Sequence, residues 1–357
     1  MRVQILTASL VLLASTPCPA TGQSATARGW VLDEDTAGAT FGYVLGVATD
    51  SRGRTYVLDG GQPALLVFDS AGRLVGRGGR AGFGPGEFSS PRAVVVDGGD
   101  RVLVLDSRQR RLREFGWRGE NFVHVRDQTL ARDANAACVR GDSLFTVGRD
   151  GESIISLYVR AGAQGYREAA GFGTLQFRAQ DLSHPIARAL RGQAMLACAT
   201  GMPVVVAVAV QVGEMQVFRT IGEVGSLVTL EGFSGVQMIV GETSVENRLP
   251  GSGVADATEA AVLADSATLL LSYGEIIGAA ANRNLLRGFR LVQTDLQGRV
   301  ISQRRSPWAL GHRGARGVAC YRNDPAPAVK VVFGERVSLG ACDALVARAP
   351  AARAPVR

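Results

Sequence analysis

Acidic side chains that recur at a fixed spacing are the first candidates for chemistry in this sequence. Four aspartates form two pairs whose members lie 47 residues apart: Asp50 with Asp97, and Asp59 with Asp106. Carboxylates repeated around a ring of strands could bind a cation at the mouth of a channel. An aspartate at the end of a strand can also accept hydrogen bonds from the backbone N–H groups of a turn. Because Gly148 and Gly274 stand at the matching position of later repeats, the sequence favours the turn role.

Cysteine and histidine are the next candidates, since both bind metals and cysteines form disulfides. Apart from Cys18, the chain has the cysteines Cys138, Cys198, Cys320 and Cys342, and its three histidines are His124, His184 and His312. No cysteine belongs to a Cys-x-x-Cys motif and no two histidines share a repeat position, so the sequence predicts no metal and no cofactor. In an exported chain we expect two structural disulfides. Of three possible connectivities, the repeat positions favour Cys138–Cys198 and Cys320–Cys342.

The basic side chains are nearly all arginine, and the formal net charge is +7. They are scattered along the chain, with one denser run that contains Arg108, Arg110, Arg111 and Arg113. Alternation along a strand places Arg111 and Arg113 on one face, with Leu112 on the other. We interpret the run as a solvated face, and a patch for an anionic partner is the alternative. The scattered charge disfavours a nucleic-acid partner.

The first 27 residues have the pattern of a signal peptide. A short basic end precedes an apolar core of about ten residues and a small-residue region, and cleavage is predicted after Gly22 or Ala27. Pro17, directly before Cys18, disfavours lipid attachment at that cysteine. No other apolar run is long enough to span a bilayer, since 204–212 has the length of a buried strand. We therefore expect a periplasmic or secreted, monomeric protein.

Short β-strands recur along the chain and must position these side chains. Residues 78–115 predict a Gly-rich crossover and three strands, and the same pattern fits 47 residues earlier. Four further repeats follow, with longer spacing in the last three. Several of the repeats contain Asp-x-x-Gly hairpins, such as 69–72 and 295–298. The predicted innermost strands carry small or apolar residues at their centres: Ala48, Val95, Val139, Ala199, Val262 and Ala319.

Six repeats of about four antiparallel strands predict an all-β, six-bladed β-propeller over residues 28–346, with a disordered tail at 347–357. The sixth repeat, predicted to begin with a strand at 317–321, has only three strands. We expect the N-terminal strand 30–32 to supply its outer strand and close the ring. Residues 255–264 are predicted to hold a helical turn. A pair of β-sandwiches does not explain the 47-residue pattern, and a β-helix needs a shorter repeat.

The second repeat resembles an NHL repeat. The resemblance rests on Gly84-Pro85-Gly86-Glu87-Phe88, on Ser90-Pro91-Arg92-Ala93-Val94 and on the strand 102–106, although Ala93 stands where that family prefers glycine. It implies a place among the exported six-bladed propellers of the NHL-like and TolB-like bacterial proteins. Similar propellers that are lactonases or amidating lyases carry polar metal ligands on their inner strands.

Two functions remain open from the sequence. The first is an exported, non-catalytic propeller that binds a protein, peptide or glycan through its loop face, with long connections at 160–195, 219–258 and 274–288 as the surface. The second is a metal-dependent lactonase- or lyase-like enzyme that uses the central channel. Apolar inner strands favour the first. The sequence predicts no catalytic residue.

Overall fold

The protein is described by a computed structural model over residues 28–33, 41–148, 154–173, 193–219, 221–222, 224–241, 245–277, 289–314, 317–323, 327–333, 338–343 and 347–348. The predicted signal peptide, Cys18, His184 and residues 349–357 lie outside this part. Nearly every described element is a β-strand, and the strands form six antiparallel blades around a ring. The predicted six-bladed propeller is therefore confirmed.

The first three blades are consecutive four-stranded sheets. Blade 1 contains β2 (Val44–Thr49), β3 (Thr55–Asp59), β4 (Ala64–Phe68) and β5 (Leu74–Gly78). Blade 2 contains β6 (Pro91–Val96), β7 (Val102–Asp106), β8 (Arg111–Arg118) and β9 (Asn121–Thr129). Blade 3 contains β10 (Ala136–Arg140), β11 (Ser143–Val147), β12 (Ile155–Arg160) and β13 (Tyr166–Phe172).

The last three blades are separated by longer connections. Blade 4 contains β14 (Ala194–Ala197), β15 (Val205–Ala209), β16 (Glu214–Phe218) and β17 (Ser226–Thr229), and an extra hairpin of β18 (Gln237–Val240) and β19 (Val245–Arg248) follows it. Blade 5 contains β20 (Val254–Leu263), β21 (Thr268–Ile277), β22 (Phe289–Asp295) and β23 (Val300–Ser306). Blade 6 contains β24 (Ala309–Gly314), β25 (Gly317–Arg322), β26 (Ala328–Phe333), β1 (Gly29–Leu32) and β27 (Ala347–Arg348).

The two ends of the chain close the ring in blade 6. Strand β1 pairs antiparallel with β26, with Trp30 opposite Val331, as the sequence predicts. Strand β27 then pairs in parallel with β1, so the predicted tail begins as a short strand. The prediction that 317–321 is the innermost strand is wrong: β25 is second, and β24 lies on the channel. Ala319 thus packs inside the blade, where it is fully buried.

Blade 5 corrects a second prediction. Residues 255–264 belong almost entirely to the ten-residue strand β20 and form no helical turn. Its alanines have high helix propensity, but pairing with β21 along the whole length of the strand prevails.

Four hairpins share one stabilising device, a five-residue Asp-x-x-x-Arg turn. The aspartates are Asp50, Asp69, Asp97 and Asp295, and each accepts a hydrogen bond of 2.9–3.1 Å from the backbone N–H of the arginine four residues later. The same arginine side chain forms an ion pair with the aspartate. All four turns join strands 1 and 2 or strands 3 and 4, so antiparallel geometry places them on one face of the ring. We call it the hairpin face, and the opposite face, with the blade-to-blade connections and the turns between strands 2 and 3, the crossover face.

Two disulfides join the cysteines in the pairs that the sequence favours. Cys138–Cys198 connects blade 3 to the end of β14 in blade 4, and Cys320–Cys342 lies within blade 6. Disulfides of this kind are typical of an extracytoplasmic protein. Among the described residues, no helix has the length and apolarity needed to cross a membrane.

Candidate functional site

The central channel is a cavity with a volume of about 540 Å³. Strands β2, β6, β10, β14, β20 and β24 line it, one from each blade. Most wall positions are small or apolar, among them the predicted Val95, Val139, Ala199 and Val262. A mostly apolar cavity with a few polar groups is the usual form of a small-ligand site.

Backbone bulges bring two charged side chains, Arg92 and Glu259, into the channel wall. In β2, β6, β20 and β24 the pairing with the second strand skips one residue near the crossover face. The skipped residues are Leu45, Arg92, Glu259 and Gly311, and all four line the channel. A bulge re-aims side chains that simple alternation would send elsewhere. Sequence reasoning missed Arg92 and Glu259 for this reason.

Glu259 is a carboxyl group of the channel wall. Burial raises its pKa to about 7. Burial also raises the pKa values of Tyr43 and Tyr321, and the charge of Glu259 raises both further. Asn323 fixes the start of β2, because its side-chain amide exchanges hydrogen bonds of 2.8 and 3.1 Å with the backbone of Val44.

His312 follows the bulged Gly311 and also lines the channel. Burial lowers its pKa to about 4, so its imidazole is neutral at neutral pH. Gly311 is required by packing: a Cβ there would lie 2.2 Å from Cγ2 of Val47 and 3.2 Å from Cδ1 of Tyr321. The missing side chain lets blade 6 approach blade 1 and leaves Tyr321 in the channel wall.

The predicted aspartates do not form a ring of carboxylates. Asp50 and Asp97 line the channel but are each paired with the arginine of their own turn. Asp59 accepts hydrogen bonds from four backbone N–H groups, those of Gly42, Tyr43, Gly61 and Gln62. Asp106 accepts hydrogen bonds from the backbone N–H groups of Ser89 and Ser90 and from the Ser89 hydroxyl. Each carboxylate thus ties the crossover before its blade to the turn after strand 2.

Gly148 shows why the repeat loses this aspartate in blade 3. A Cβ at Gly148 would lie 1.7 Å from the carbonyl oxygen of Asp133. The crossover backbone itself fills the space that the Asp59 and Asp106 side chains occupy in blades 1 and 2, so no carboxylate is needed to hold it.

The predicted basic patch divides into two parts. Arg113 is fully buried, and its guanidinium lies 3.8 Å from Asp106 and 3.9 Å from Asp127. The prediction that it belongs to a solvated face is wrong, because both faces of β8 are covered by neighbouring blades. Arg108 and Arg110 are exposed on the crossover face, and Arg111 is half-buried near Asp127.

Metal-ligating side chains do not converge in the part of the chain that the structure describes. No group of three or more His, Cys, Asp or Glu side chains there could hold a metal ion. His124 forms a 2.8 Å contact with Asp127 in blade 2, far along the chain from His312.

Comparison with known proteins supports the fold and leaves the function open. A family model described as a 6-bladed beta-propeller matches residues 42–144, which span blades 1 and 2 and the start of blade 3. No curated protein sequence matches the chain. The NHL-like and TolB-like assignment stays a prediction.

Solved structures show the same architecture at low sequence identity. A Bacteroides fragilis protein is 11% identical, with a TM-score of 0.50, and the match covers 88% of this chain and 96% of that one. A DUF4221-family member from Bacteroides vulgatus is 9% identical, with a TM-score of 0.51 and coverage of 87% and 97%. The structure of U3-55K is 12% identical, with a TM-score of 0.52 and coverage of 87% and 99%. Such distant likeness shows the fold alone.

Proposed function

We propose that the protein is an exported, non-catalytic propeller that binds a protein, peptide or glycan partner on its crossover face. The N-terminal pattern and the two disulfides support export. The resemblance of blade 2 to an NHL repeat is compatible with a binding scaffold, since function lies in sites built on such folds.

The observation that carries the proposal is an exposed aromatic side chain among unneutralised arginines. Phe83, in the crossover between blades 1 and 2, is 65% exposed. The Arg108 guanidinium lies 5.4 Å from the centre of its ring, and Arg110 is exposed in the same turn as Arg108. Neither arginine forms an ion pair with a described residue. Exposed aromatic and arginine side chains are the residue types that dominate binding energy at interfaces.

The crossover face has longer connections than the hairpin face, as expected for a face that binds a partner. On the hairpin face, four of the turns are short and held by their own Asp–Arg pairs. The crossover face contains the Gly-rich connection 79–90 and the extra hairpin β18–β19, on which Ile239 is 39% exposed. Binding residues concentrate in loops that a rigid scaffold positions. The arginines on this face favour a partner with acidic groups.

Site-specific crosslinking in cells of the source organism tests the face. A photo-crosslinking amino acid at position 83 should yield a discrete adduct, and the same amino acid at position 70, on the hairpin face, should yield none. The double change Arg108→Glu and Arg110→Glu should lower the yield from position 83 at least about tenfold, because it reverses two rim charges. Equal yields from both positions, or none from position 83, would contradict the proposal.

Metal analysis tests the non-catalytic part separately. We expect the purified protein to retain less than about 0.1 calcium or zinc ion per chain after gel filtration, since its described residues form no ligand cluster. A stoichiometric ion would favour the metal-dependent lactonase- or lyase-like alternative instead.

A further inference from the structure

One side of the channel, where blades 5, 6 and 1 meet, holds a carboxyl group that the fold does not use. Glu259 lines the channel from the bulge of β20. No described residue donates a hydrogen bond to its carboxylate or forms an ion pair with it. A carboxyl group taken from water without compensation is unfavourable for folding. Asp59, Asp97 and Asp106, by contrast, are buried with several donors each.

The groups around Glu259 are aromatic or small. Tyr321 lines the channel beside the glycine bulge of β24. Tyr43, in the segment before β2, is 43% exposed. Both phenols interact electrostatically with Glu259. The neighbouring wall consists of residues such as Ala260, Val262 and Gly46. A charged or hydrogen-bonding end of a ligand would meet Glu259 and the Tyr321 phenol, and an apolar body would contact the rest of the wall.

We propose that Glu259, together with Tyr321, forms a binding subsite for an organic ammonium group inside the channel. A carboxylate supplies the opposite charge, phenol oxygens accept N–H hydrogen bonds, and aromatic rings attract cations. The channel volume of about 540 Å³ leaves room for an apolar group attached to the nitrogen. The site is independent of the partner proposed for the crossover face.

No cation of the protein itself fills this role among the described residues. His312 lines the same wall but is neutral at neutral pH. Arg92 projects from the bulge of blade 2, three blades away around the six-bladed ring, and its guanidinium donates to the Ser107 hydroxyl at 3.2 Å. The charge balance at Glu259 therefore selects a cationic ligand over an anionic one.

Affinity for an ammonium group should depend on pH through Glu259. Because burial raises the pKa of this carboxyl to about 7, only its deprotonated form, present above that pH, attracts a cation. Between pH 8 and pH 5.5 we expect the apparent Kd to rise about 30-fold, since Glu259 takes up a proton. Both tyrosines and His312 stay uncharged over that range, so none of the three produces the change.

Binding of n-butylammonium, with n-butanol as its uncharged counterpart, tests the site. Measured by calorimetry or NMR titration on the full mature protein at pH 8, n-butylammonium should bind and n-butanol should bind at least about tenfold more weakly. Glu259→Gln should lower the affinity for n-butylammonium at least about tenfold and abolish its pH dependence. Glu120→Gln, on an exposed turn of blade 2, should change neither.

The stability of Glu259→Gln provides a readout that does not depend on the ligand. A carboxyl whose pKa is raised by folding destabilises the folded state as pH rises from its unfolded value toward 7 and above. Glu259→Gln should therefore raise the Tm at pH 8 by about 2 °C or more, with a much smaller rise at pH 5. No binding of n-butylammonium, equal binding by Glu259→Gln, or an unchanged Tm at pH 8 would each overturn the proposal. Crosslinking from position 83 would be unaffected by any of these results.

Discussion

Replacing Asp106 with alanine should destabilise the protein by about 3–5 kcal/mol, because it leaves a buried guanidinium without one of its two counter-charges. Asp106 and Arg113 are both fully buried, and the second carboxylate, Asp127, lies 3.9 Å from the Arg113 Nε. Burial already lowers the pKa of Arg113, while the two aspartates raise it. The substitution also removes the acceptor for the backbone N–H groups of Ser89 and Ser90. Urea unfolding followed by circular dichroism measures the loss.

A second substitution separates the two causes of this loss. In the double variant Asp106→Ala with Arg113→Leu the buried charge is gone, so about half or more of the stability should return if charge burial dominates. If the double variant is as unstable as Asp106→Ala alone, the loss of stability comes instead from the hydrogen bonds that Ser89 and Ser90 donate to Asp106. Asp142→Ala, at a 71% exposed side chain, is the matched control and should change stability by less than about 0.5 kcal/mol. A loss below about 1 kcal/mol for Asp106→Ala would contradict the prediction.

The architecture was predictable because it repeats in the sequence. The 47-residue spacing, the Asp-x-x-Gly turns and the isolated strand at residues 30–32 are local signals, and each forms the element it predicts. Strand β24 was missed because Ala309–Gly314 is short and interrupted by glycines, and the more apolar β25 took its place in the prediction. An arginine stands at the fifth position of all four Asp-x-x-x-Arg turns, so their Asp–Arg ion pairs were also predictable from the sequence.

The candidate site was less predictable than the fold, because strand alternation indicates neither which face meets solvent nor where a bulge occurs. Alternation places Arg111 and Arg113 on one side of β8 correctly, but in a propeller both sides of a middle strand face another blade, so alternation does not identify solvent. Bulges cause the other errors. Glu259 and Arg92 are each the unpaired residue of a bulge, which turns the side chain toward the channel. The residue types at these two positions do not predict a bulge.

Removing the disulfide between blades 3 and 4 should cost about 4 kcal/mol, and removing the one within blade 6 about 3 kcal/mol. A crosslink stabilises mainly by restricting the unfolded chain, and the restriction grows with the length of the closed loop. Cys138 and Cys198 are 60 residues apart, whereas Cys320 and Cys342 are 22 residues apart. The variants are Cys138→Ala with Cys198→Ala, and Cys320→Ala with Cys342→Ala, compared by urea unfolding under oxidising conditions.

The two disulfides should also differ in their effect on local hydrogen exchange, because they lie in different places in the ring. Its cysteines join the innermost strand β10 to the end of β14, and both line the channel. Cys320–Cys342 instead joins β25 to a short turn behind it, where both cysteines are fully buried. Loss of the first crosslink should therefore expose the amides of β10 and β14 to faster hydrogen exchange, while loss of the second affects blade 6. Equal destabilisation with exchange unchanged in blades 3 and 4 would show that the ring, not the disulfide, holds these two blades together.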